Sequence, residues 1–179
     1  MHLQEVHFSD RNSVIVRLIA DTFEQKLKSL AVPPRPRFFP SCKEISVPEQ
    51  PNKTECILKL HFKVVIYCGN IHESDVEAVS CGQDPKLQSK GRIAQDIIKK
   101  CKNLKDELKT LSKKETQPGE TILMNCNLKY AKRVIFVITE SPSSADQYIF
   151  QNCYRNVLNI ADQNGITKLA LPLIGTGKL

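Results

Sequence analysis

The chain has 179 residues, of which 41% are hydrophobic, so it can fill the core of one ordinary domain. Its 26 basic and 19 acidic residues leave a net charge of +7, which favours an anionic partner without identifying one. No run of sequence comes near the roughly 18 apolar residues of a membrane span. Seven cysteines, set mostly in apolar stretches, favour buried thiols in a reducing compartment.

In the first part of the chain, residues 3–30 are predicted to form a strand followed by a helix. Val6 and Phe8 alternate with polar residues, as in a strand. The following residues carry an apolar stripe at steps of three and four, which indicates an amphipathic helix. The members of this stripe are Ile15, Leu18, Ile19, Phe23, Leu27 and Leu30. One strand and one helix cannot fold alone, so a neighbouring unit must cover them.

Residues 31–54 are predicted to be a linker, because six of the ten prolines lie there among polar and charged residues. A stiff, extended linker favours separate packing of the units on either side of it. The alternative is that the strand and helix of residues 3–30 fold back across the linker into the second unit, which the length of the linker allows.

The second unit, from residue 55 onward, alternates apolar strands with helices. Two helices are predicted, one from Ile93 to Lys114 and one across 143–165 that begins near Ser144 and ends at Gly165. The predicted strands are the apolar runs VVIY, VEAVS, TILMNCNL, RVIFVI and KLALPL. This alternation predicts a parallel or mixed sheet that is covered by helices on both sides.

The helix predicted from Ile93 to Lys114 has an apolar face and a basic face. Its other faces carry seven lysines between Lys99 and Lys114, against only Asp106 and Glu107. The apolar stripe consists of Ile93, Ile97, Cys101, Leu104, Leu108 and Leu111. A lysine-rich face is typical of a solvated helix, and it is also a candidate for weak binding of nucleic acid.

Ligands of such sheets bind beyond the carboxyl ends of the strands, where loops expose backbone N–H groups and helix N-termini. Three segments are predicted to lie there, namely 69–71, 81–92 and 175–177. The glycines of the last segment allow a tight turn whose amides converge on an anion, although ordinary turns use glycine as well. No CxxC or HxxxH spacing is present, so we expect neither a metal nor a cofactor.

Several stretches of the second unit resemble macrodomains, the family of ADP-ribose-binding modules. The stretch CYRNVLNIADQNGITKLALPLIGTG resembles their penultimate helix, the strand after it and their second phosphate loop. The stretch GETILMNCNLKYAKRVIFVI resembles the two preceding strands, and VVIYCGNI and VEAVSCGQD are similar to the two opening strands. The resemblance covers roughly residues 57–179 and implies a three-layer α/β/α fold around a mixed sheet.

The first unit is also similar to part of a macrodomain, because LQEVHFSDRNSVIVRLIADTFEQKL resembles the final strand and helix of that fold. We therefore expect the tail of one macrodomain in 1–30, a proline-rich linker in 31–54, and a second macrodomain in 55–179 that is truncated after its second phosphate loop. Tandem macrodomains resemble the mono-ADP-ribosyltransferase branch of the poly(ADP-ribose) polymerase family. That branch implies a protein of the nucleus and cytoplasm with a role in transcription regulation.

The resemblance also implies which residues meet the nucleoside and ribose parts of the ligand. Asn70 stands where macrodomains usually have an aspartate that binds the adenine amino group, and Ile71 fits as the apolar neighbour of the adenine. Asp84 stands where an asparagine usually meets the distal ribose. Its carboxylate can accept hydrogen bonds from ribose hydroxyls, but it would repel a nearby diphosphate.

Two phosphate loops complete the implied site, and the first of them has fewer glycines than is usual in the family. The residues implied to hold the diphosphate are Gly91, Arg92, Ile93, Gly175, Thr176 and Gly177. Ala94 stands where relatives that remove ADP-ribose carry a catalytic aspartate, and an alanine cannot activate water.

We therefore expect a non-catalytic module that binds ADP-ribose, or a protein modified with a single ADP-ribose. Three alternatives stay open. The chain could be a degenerate macrodomain that serves protein–protein contact, a nucleic-acid-binding module that uses residues 99–114, or an active hydrolase.

Overall fold

The computed structural model describes residues 2–10, 53–57, 63–114, 116–139 and 147–174. Seven strands form one sheet in this part of the chain. They are β1 (Glu5–Asp10), β2 (Lys53–Ile57), β3 (Lys63–Cys68), β4 (Ala78–Gln83), β5 (Thr121–Asn125), β6 (Arg133–Ile138) and β7 (Lys168–Pro172). The helices are α1 (Arg92–Lys100), α2 (Asn103–Leu111) and α3 (Gln147–Gln163), together with a 3-10 turn at Ile71–Glu73.

The sheet has the strand order β2-β3-β1-β7-β4-β6-β5. Its five inner strands are parallel to one another, whereas β2 and β5 run antiparallel to their neighbours at the two edges. The predicted α/β fold with a mixed sheet is therefore confirmed.

The two faces of the sheet carry separate apolar cores. Helices α1 and α2 pack on one face, where Ile97, Leu104 and Leu108 meet the inward side chains of β4 and β6. Helix α3 packs on the other face, where Cys153 and Val157 belong to the same core as residues of β1, β6 and β7. The structure therefore has the three layers that the sequence pattern predicts.

Strand β1 lies inside this sheet, between β3 and β7, and pairs with both along its length. Leu3 and Val6 are buried in the core under α3, because the gap between β3 and β7 offers hydrogen bonds on both sides and an apolar floor. The Ser9 hydroxyl also donates to the Gly69 carbonyl at 2.9 Å.

The first unit was expected to pack separately from the second. For the strand of the first unit, this expectation is wrong. The alternative in which the strand folds back is the arrangement observed. The helix predicted after it and the linker of residues 31–54 lie almost wholly outside the described residues, so the boundaries 1–30, 31–54 and 55–179 stay predictions. Strand β2, which the sequence pattern missed, begins at Lys53.

The prediction of a single helix from Ile93 to Lys114 is also wrong, because the structure has two helices with a break at Cys101. The backbone of Cys101 leaves the helical region, with φ −122° and ψ 83°, although its N–H still donates to the Ile97 carbonyl at 2.9 Å. Both helices nevertheless contribute to the same core, through Ile97 on one side of the break and Leu104 and Leu108 on the other. The apolar stripe itself is confirmed, since Ile97, Cys101, Leu104 and Leu108 are all buried.

Gly165 ends helix α3 as predicted, with a φ of +66° that favours glycine. Its N–H donates to the Asp162 carbonyl at 3.1 Å, and the next residue, Ile166, donates to Ala161 at 3.0 Å. Ser144, the predicted cap at the other end, lies outside the described residues.

The expectation of buried thiols is confirmed for four cysteines, namely Cys81, Cys101, Cys126 and Cys153. Burial raises the pKa of Cys126 to about 11, and it raises the pKa of Cys81 further, so both stay protonated at neutral pH. Among the residues that the structure describes, no helix is long and apolar enough to cross a membrane.

We predict that an aspartate at Val6 destabilises the whole sheet. Val6 is 2% exposed, and an unpaired charge at such a position lowers the free energy of unfolding by roughly 3 kcal/mol or more. Urea unfolding of Val6→Asp measures this, with Gln4→Asp as the control because the Gln4 side chain is exposed. Equal stability of Val6→Asp and Gln4→Asp would show that β1 is not held in the sheet.

Stability is also predicted to depend on the carboxylate of Glu77, which joins the start of β4 to the segment before β7. Burial raises the pKa of Glu77, but hydrogen bonds from the Thr167 hydroxyl (2.7 Å) and N–H (2.8 Å), helped by the charge of Arg133, lower it overall below 4.5. A carboxylate with a lowered pKa stabilises the fold above its unfolded pKa, and this contribution is lost as pH falls through the folded pKa.

Glu77→Gln should therefore be less stable than the wild type at pH 7, by about 1 kcal/mol. The difference should shrink as pH falls below about 4, where the wild-type carboxylate becomes protonated. Urea unfolding of both proteins at several pH values checks this. A difference that is constant with pH would contradict the assignment to the carboxylate charge.

Candidate functional site

The loops that follow the parallel strands meet at one edge of the sheet, which we call the carboxyl edge. Strands β3, β1, β7, β4 and β6 end there, at Cys68, Asp10, Pro172, Gln83 and Ile138. Because backbone N–H groups and helix N-termini converge at such an edge, it is where an α/β sheet binds ligands.

Strands β4 and β7 part before they reach this edge. Their pairing covers only Ala78 and Val79 opposite Leu169 and Ala170, whereas β4 and β6 stay paired through Gln83. The Ser80 hydroxyl lies beyond the last β4–β7 pair, fully buried and without a hydrogen-bond partner among the described residues. Beyond Val79, β4 therefore pairs with β6 but not with β7 among the described residues.

Asp84 immediately follows β4 and is 6% exposed. Its Oδ1 accepts hydrogen bonds from the N–H groups of Lys86 (3.1 Å) and Gln88 (3.2 Å). Its Oδ2 is buried and has no partner in the part of the chain that the structure describes. A buried carboxylate oxygen without a donor is unfavourable, so this atom is suited to receive an N–H or O–H group from a ligand.

The loop from Asp84 to Gly91 follows an unusual path. Leu87 and Ser89 have φ values of +53° and +55°, in the left-handed region that favours glycine. The buried side chain of Gln83 holds the loop by bonding both to the N–H and to the hydroxyl of Ser89. Gln83 and Ser89 were not among the predicted site residues, although a glutamine at the end of an apolar strand indicates a buried polar contact.

Helix α1 begins directly after this loop, close to the end of β4. Gly91 is its N-cap residue, and a Cβ placed on Gly91 would lie 3.9 Å from the Gly82 carbonyl oxygen. Arg92 is exposed, whereas Ile93 packs partly against the core. The structure thus brings Gly91, Arg92 and Asp84 to the same end of β4, as the sequence predicts.

The end of β3 carries the other two predicted residues of this edge. The Asn70 side-chain amide donates to the Glu73 carboxylate at 3.1 Å, and the Glu73 N–H donates to the Asn70 carbonyl at 3.0 Å. Ile71 is 4% exposed and belongs to the core under α1 and α2. Little of its side chain is therefore available to a ligand, in contrast to the role expected for it.

The end of β7 is fixed by Tyr154 of α3. The Tyr154 hydroxyl donates to the Pro172 carbonyl at 3.3 Å and accepts from the Ile174 N–H at 2.9 Å. Burial raises the pKa of Tyr154, so the hydroxyl stays protonated and can do both. The predicted residues Gly175, Thr176 and Gly177 come next and lie outside the described residues.

Two open clefts lie away from the carboxyl edge. One of about 390 Å³ is lined by Glu77, Arg133 and Lys168, among others. The other, of about 580 Å³, is lined by His72, Glu73, Lys100, Asn127, Leu128, Lys129 and Tyr130. Neither is lined by a residue that is predicted to bind ADP-ribose, but the second includes Lys100 from the predicted nucleic-acid-binding residues 99–114. Within the described ranges, no cluster of three or more histidine, cysteine, aspartate or glutamate side chains could hold a metal ion.

The fold and this edge define a three-layer α/β/α module with a candidate ligand site at the ends of its parallel strands. Residues 82–179, more than half of the chain, match the Macro domain family. The chain therefore belongs to that family. No curated protein gave a significant match.

Solved macrodomains share the fold at low sequence identity. The macrodomain of Mycobacterium tuberculosis DarG is 16% identical, with a TM-score of 0.53 over 60% of this chain and 74% of that one. The Oceanobacillus iheyensis macrodomain with ADP is 19% identical, with a TM-score of 0.52 over 64% of each chain. The Trypanosoma brucei macrodomain in complex with ADP-ribose is 21% identical, with a TM-score of 0.50 over 61% of this chain and 46% of that one.

We predict that Tyr154→Phe loosens the end of β7. The change leaves the Ile174 N–H without its acceptor, which costs about 1–2 kcal/mol of stability if the amide stays buried. Hydrogen exchange of the Ile174 amide should accelerate, and exchange in β4 should change little. Unchanged protection of the Ile174 amide would contradict the role of the hydroxyl.

Proposed function

We propose that this chain is a binding module for ADP-ribose, or for proteins that carry a single ADP-ribose, and that it does not turn the ligand over. Membership of the Macro domain family and the folds shared with macrodomains that hold ADP or ADP-ribose support the ligand class. The observation that carries the proposal is the buried Oδ2 of Asp84, which lacks a donor among the described residues at the carboxyl edge.

A ribose supplies the kind of group that this oxygen lacks. Its hydroxyls can donate to Asp84 Oδ2 while Oδ1 keeps its two backbone donors from the loop. Hydrogen bonds to a charged acceptor are stronger than those between neutral groups, so the contact also orients the sugar.

A diphosphate next to this ribose would meet the start of α1. The free N–H groups of the first turn, after Gly91, carry partial positive charge and suit an anion. Lys90 at the end of the loop and Arg92 at the start of α1 are both exposed and add full positive charge. They offset the negative charge of Asp84, which disfavours a diphosphate. The loop Gly175-Thr176-Gly177 is proposed as the second phosphate contact.

Two substitutions limit what the site can do. Ala94 is 1% exposed within α1, and its methyl group can neither activate nor orient a water molecule. The amide of Asn70 is uncharged and bonds to Glu73, so we propose weaker discrimination for adenine than an aspartate would give. The alanine favours recognition over hydrolysis, whereas the asparagine affects only the choice of base.

Nucleic-acid binding is a second candidate, and one surface favours it. The Lys129 ammonium lies 4.8 Å from the centre of the Tyr130 ring, and this ring is 38% exposed in the same cleft as Lys100. The lysines from 99 to 114 are also exposed. An exposed ring beside several cations is suited to stacking a base next to a phosphate chain. Use of the fold for protein–protein contact alone is the remaining alternative.

The wider context of the chain also stays a proposal. We propose that it is part of a protein related to the mono-ADP-ribosyltransferase branch of the poly(ADP-ribose) polymerase family, with a place in the nucleus and cytoplasm and a role in transcription regulation.

Calorimetric titration tests the ligand and the role of Asp84 together. The wild type should bind ADP-ribose with a Kd of roughly 1–50 µM, and AMP more weakly. Asp84→Ala should weaken binding at least about tenfold, because it removes the acceptor and two loop hydrogen bonds. Asp84→Asn keeps an acceptor for the loop but places an NH2 group where Oδ2 stood, so the charge-assisted contact to the ribose is lost and binding should weaken about threefold or more.

Gln88→Ala is the control, because its side chain is exposed in the same loop, and its affinity should match the wild type. Gly175→Glu should abolish binding by placing a carboxylate in the second loop. Absence of ADP-ribose binding in the wild type would overturn the proposal. RNA binding that falls steeply with salt would then support the nucleic-acid reading, and release of ADP-ribose from a modified protein would support a hydrolase.

A further inference from the structure

Gln83 is a buried polar side chain at the end of β4, with 1% of its surface exposed. Its Nε2 donates to the Ser89 hydroxyl at 2.7 Å, and its Oε1 accepts from the Ser89 N–H at 2.8 Å. Its own backbone is fixed as well, since the Gln83 carbonyl accepts from the Thr139 N–H at 2.8 Å. The side chain therefore joins a rigid strand end to the middle of the loop at 84–91.

This contact falls where the loop backbone is under strain. Ser89 and Leu87 both have positive φ, which residues other than glycine adopt rarely and at a cost in free energy. A macrodomain-like loop with more glycines could take this path without strain. Here two hydrogen bonds to one buried side chain hold Ser89 in place instead.

The loop held in this way carries the groups that the proposed site needs. Asp84 lies at its beginning, with Oδ1 bonded to the N–H groups of Lys86 and Gln88. Gly91 lies at its end and leads into α1. If the loop relaxed, both the direction of Asp84 Oδ2 and the position of the first amides of α1 would change.

We infer that Gln83 is a positioning residue that pre-forms the loop at 84–91 for its ligand, through its paired hydrogen bonds to Ser89. This inference rests on the proposed function, and it adds that affinity is set by a residue that does not touch the ligand. A pre-formed loop spares the ligand the cost of ordering it, so the loss of Gln83 lowers affinity by reducing the fraction of competent molecules.

The chemistry of the contact makes glutamine specific for this role. Ser89 presents a donor N–H and a hydroxyl, and a glutamine amide supplies an acceptor and a donor in one group. Leucine has nearly the same volume but leaves the N–H and hydroxyl of Ser89 buried without partners. Gln83→Leu thus removes the contact with little change in size.

The experiment compares Gln83→Leu with Gln88→Leu, which makes the same chemical change at an exposed position of the loop. Two readouts are needed. Hydrogen exchange of the Ser89 amide, without ligand, reports on the loop itself, and titration with ADP-ribose reports on the site. Gln83→Leu should speed hydrogen exchange of the Ser89 amide by about tenfold and weaken the binding of ADP-ribose by about tenfold. Gln88→Leu should change neither the exchange rate nor the affinity.

A rescue variant separates positioning from general destabilisation. Adding Ser89→Gly to Gln83→Leu removes the buried hydroxyl and relieves the strain, because glycine accepts a φ of +55°. The double variant should regain several-fold of the lost affinity. If Gln83→Leu does not fold, Ser89→Ala, which removes only the hydroxyl contact, should give a smaller loss of affinity in the same direction.

The inference is overturned if Gln83→Leu lowers the Tm but binds ADP-ribose as the wild type does, or if Gln88→Leu weakens binding equally. It is also overturned if exchange of the Ser89 amide is unchanged. Failure of the proposed function looks different. In that case the wild type does not bind ADP-ribose, while exchange at Ser89 still responds to Gln83→Leu.

Discussion

The architecture depends on the pairing of β1 with two strands at once. Val6 of this strand lies opposite Val64 of β3 and Leu169 of β7, and the pairing continues to Ser9 on both sides. Without β1, β3 and β7 would face each other across an empty space with two rows of unpaired backbone groups. The strand therefore joins the β2–β3 pair to the rest of the sheet, and so places the ends of β3 and β4 at a common edge.

At that edge, the loop at 84–91 keeps a defined path although it contains few glycines. Flexible glycines let a backbone approach a phosphate closely, whereas here side chains enforce the required path. Gln83 holds the middle of the loop, and Asp84 holds its beginning through two backbone N–H groups. The second oxygen of Asp84, Oδ2, takes no part in these bonds and has no partner among the described residues. The same residue can therefore shape the loop and accept a hydrogen bond from a ligand.

The parts of the fold that the sequence predicts are those set by local pattern. The stripe from Ile97 to Leu108, the run of β6 and the glycine at 165 each depend on neighbours within a few residues, and the structure has them as expected. The loop that begins at Asp84 could also be placed at this edge, because a connection that follows a parallel strand starts at the carboxyl end of that strand.

The features of the fold and of the site that the sequence did not predict depend on contacts between residues that are distant in the chain. Nothing near β1 in the sequence shows that its partners are β3 and β7. A proline-rich stretch predicts a linker whether the strand before it packs separately or folds back into the sheet. The break at Cys101 interrupts an apolar stripe whose spacing is continuous across it, so the local pattern gives no sign of it. The bond from Gln83 to Ser89 depends on two positive φ values that the residue types there do not suggest.

The location of β1 has a consequence for biosynthesis. Its start meets Asp162, about 160 residues further along the chain, and its neighbour β7 is translated later still. Contacts between such distant residues close slowly, because the loop entropy is lost before the contact forms. During translation β1 can therefore pair with β3 early, but its pairing with β7 must wait until nearly all of the sheet has left the ribosome.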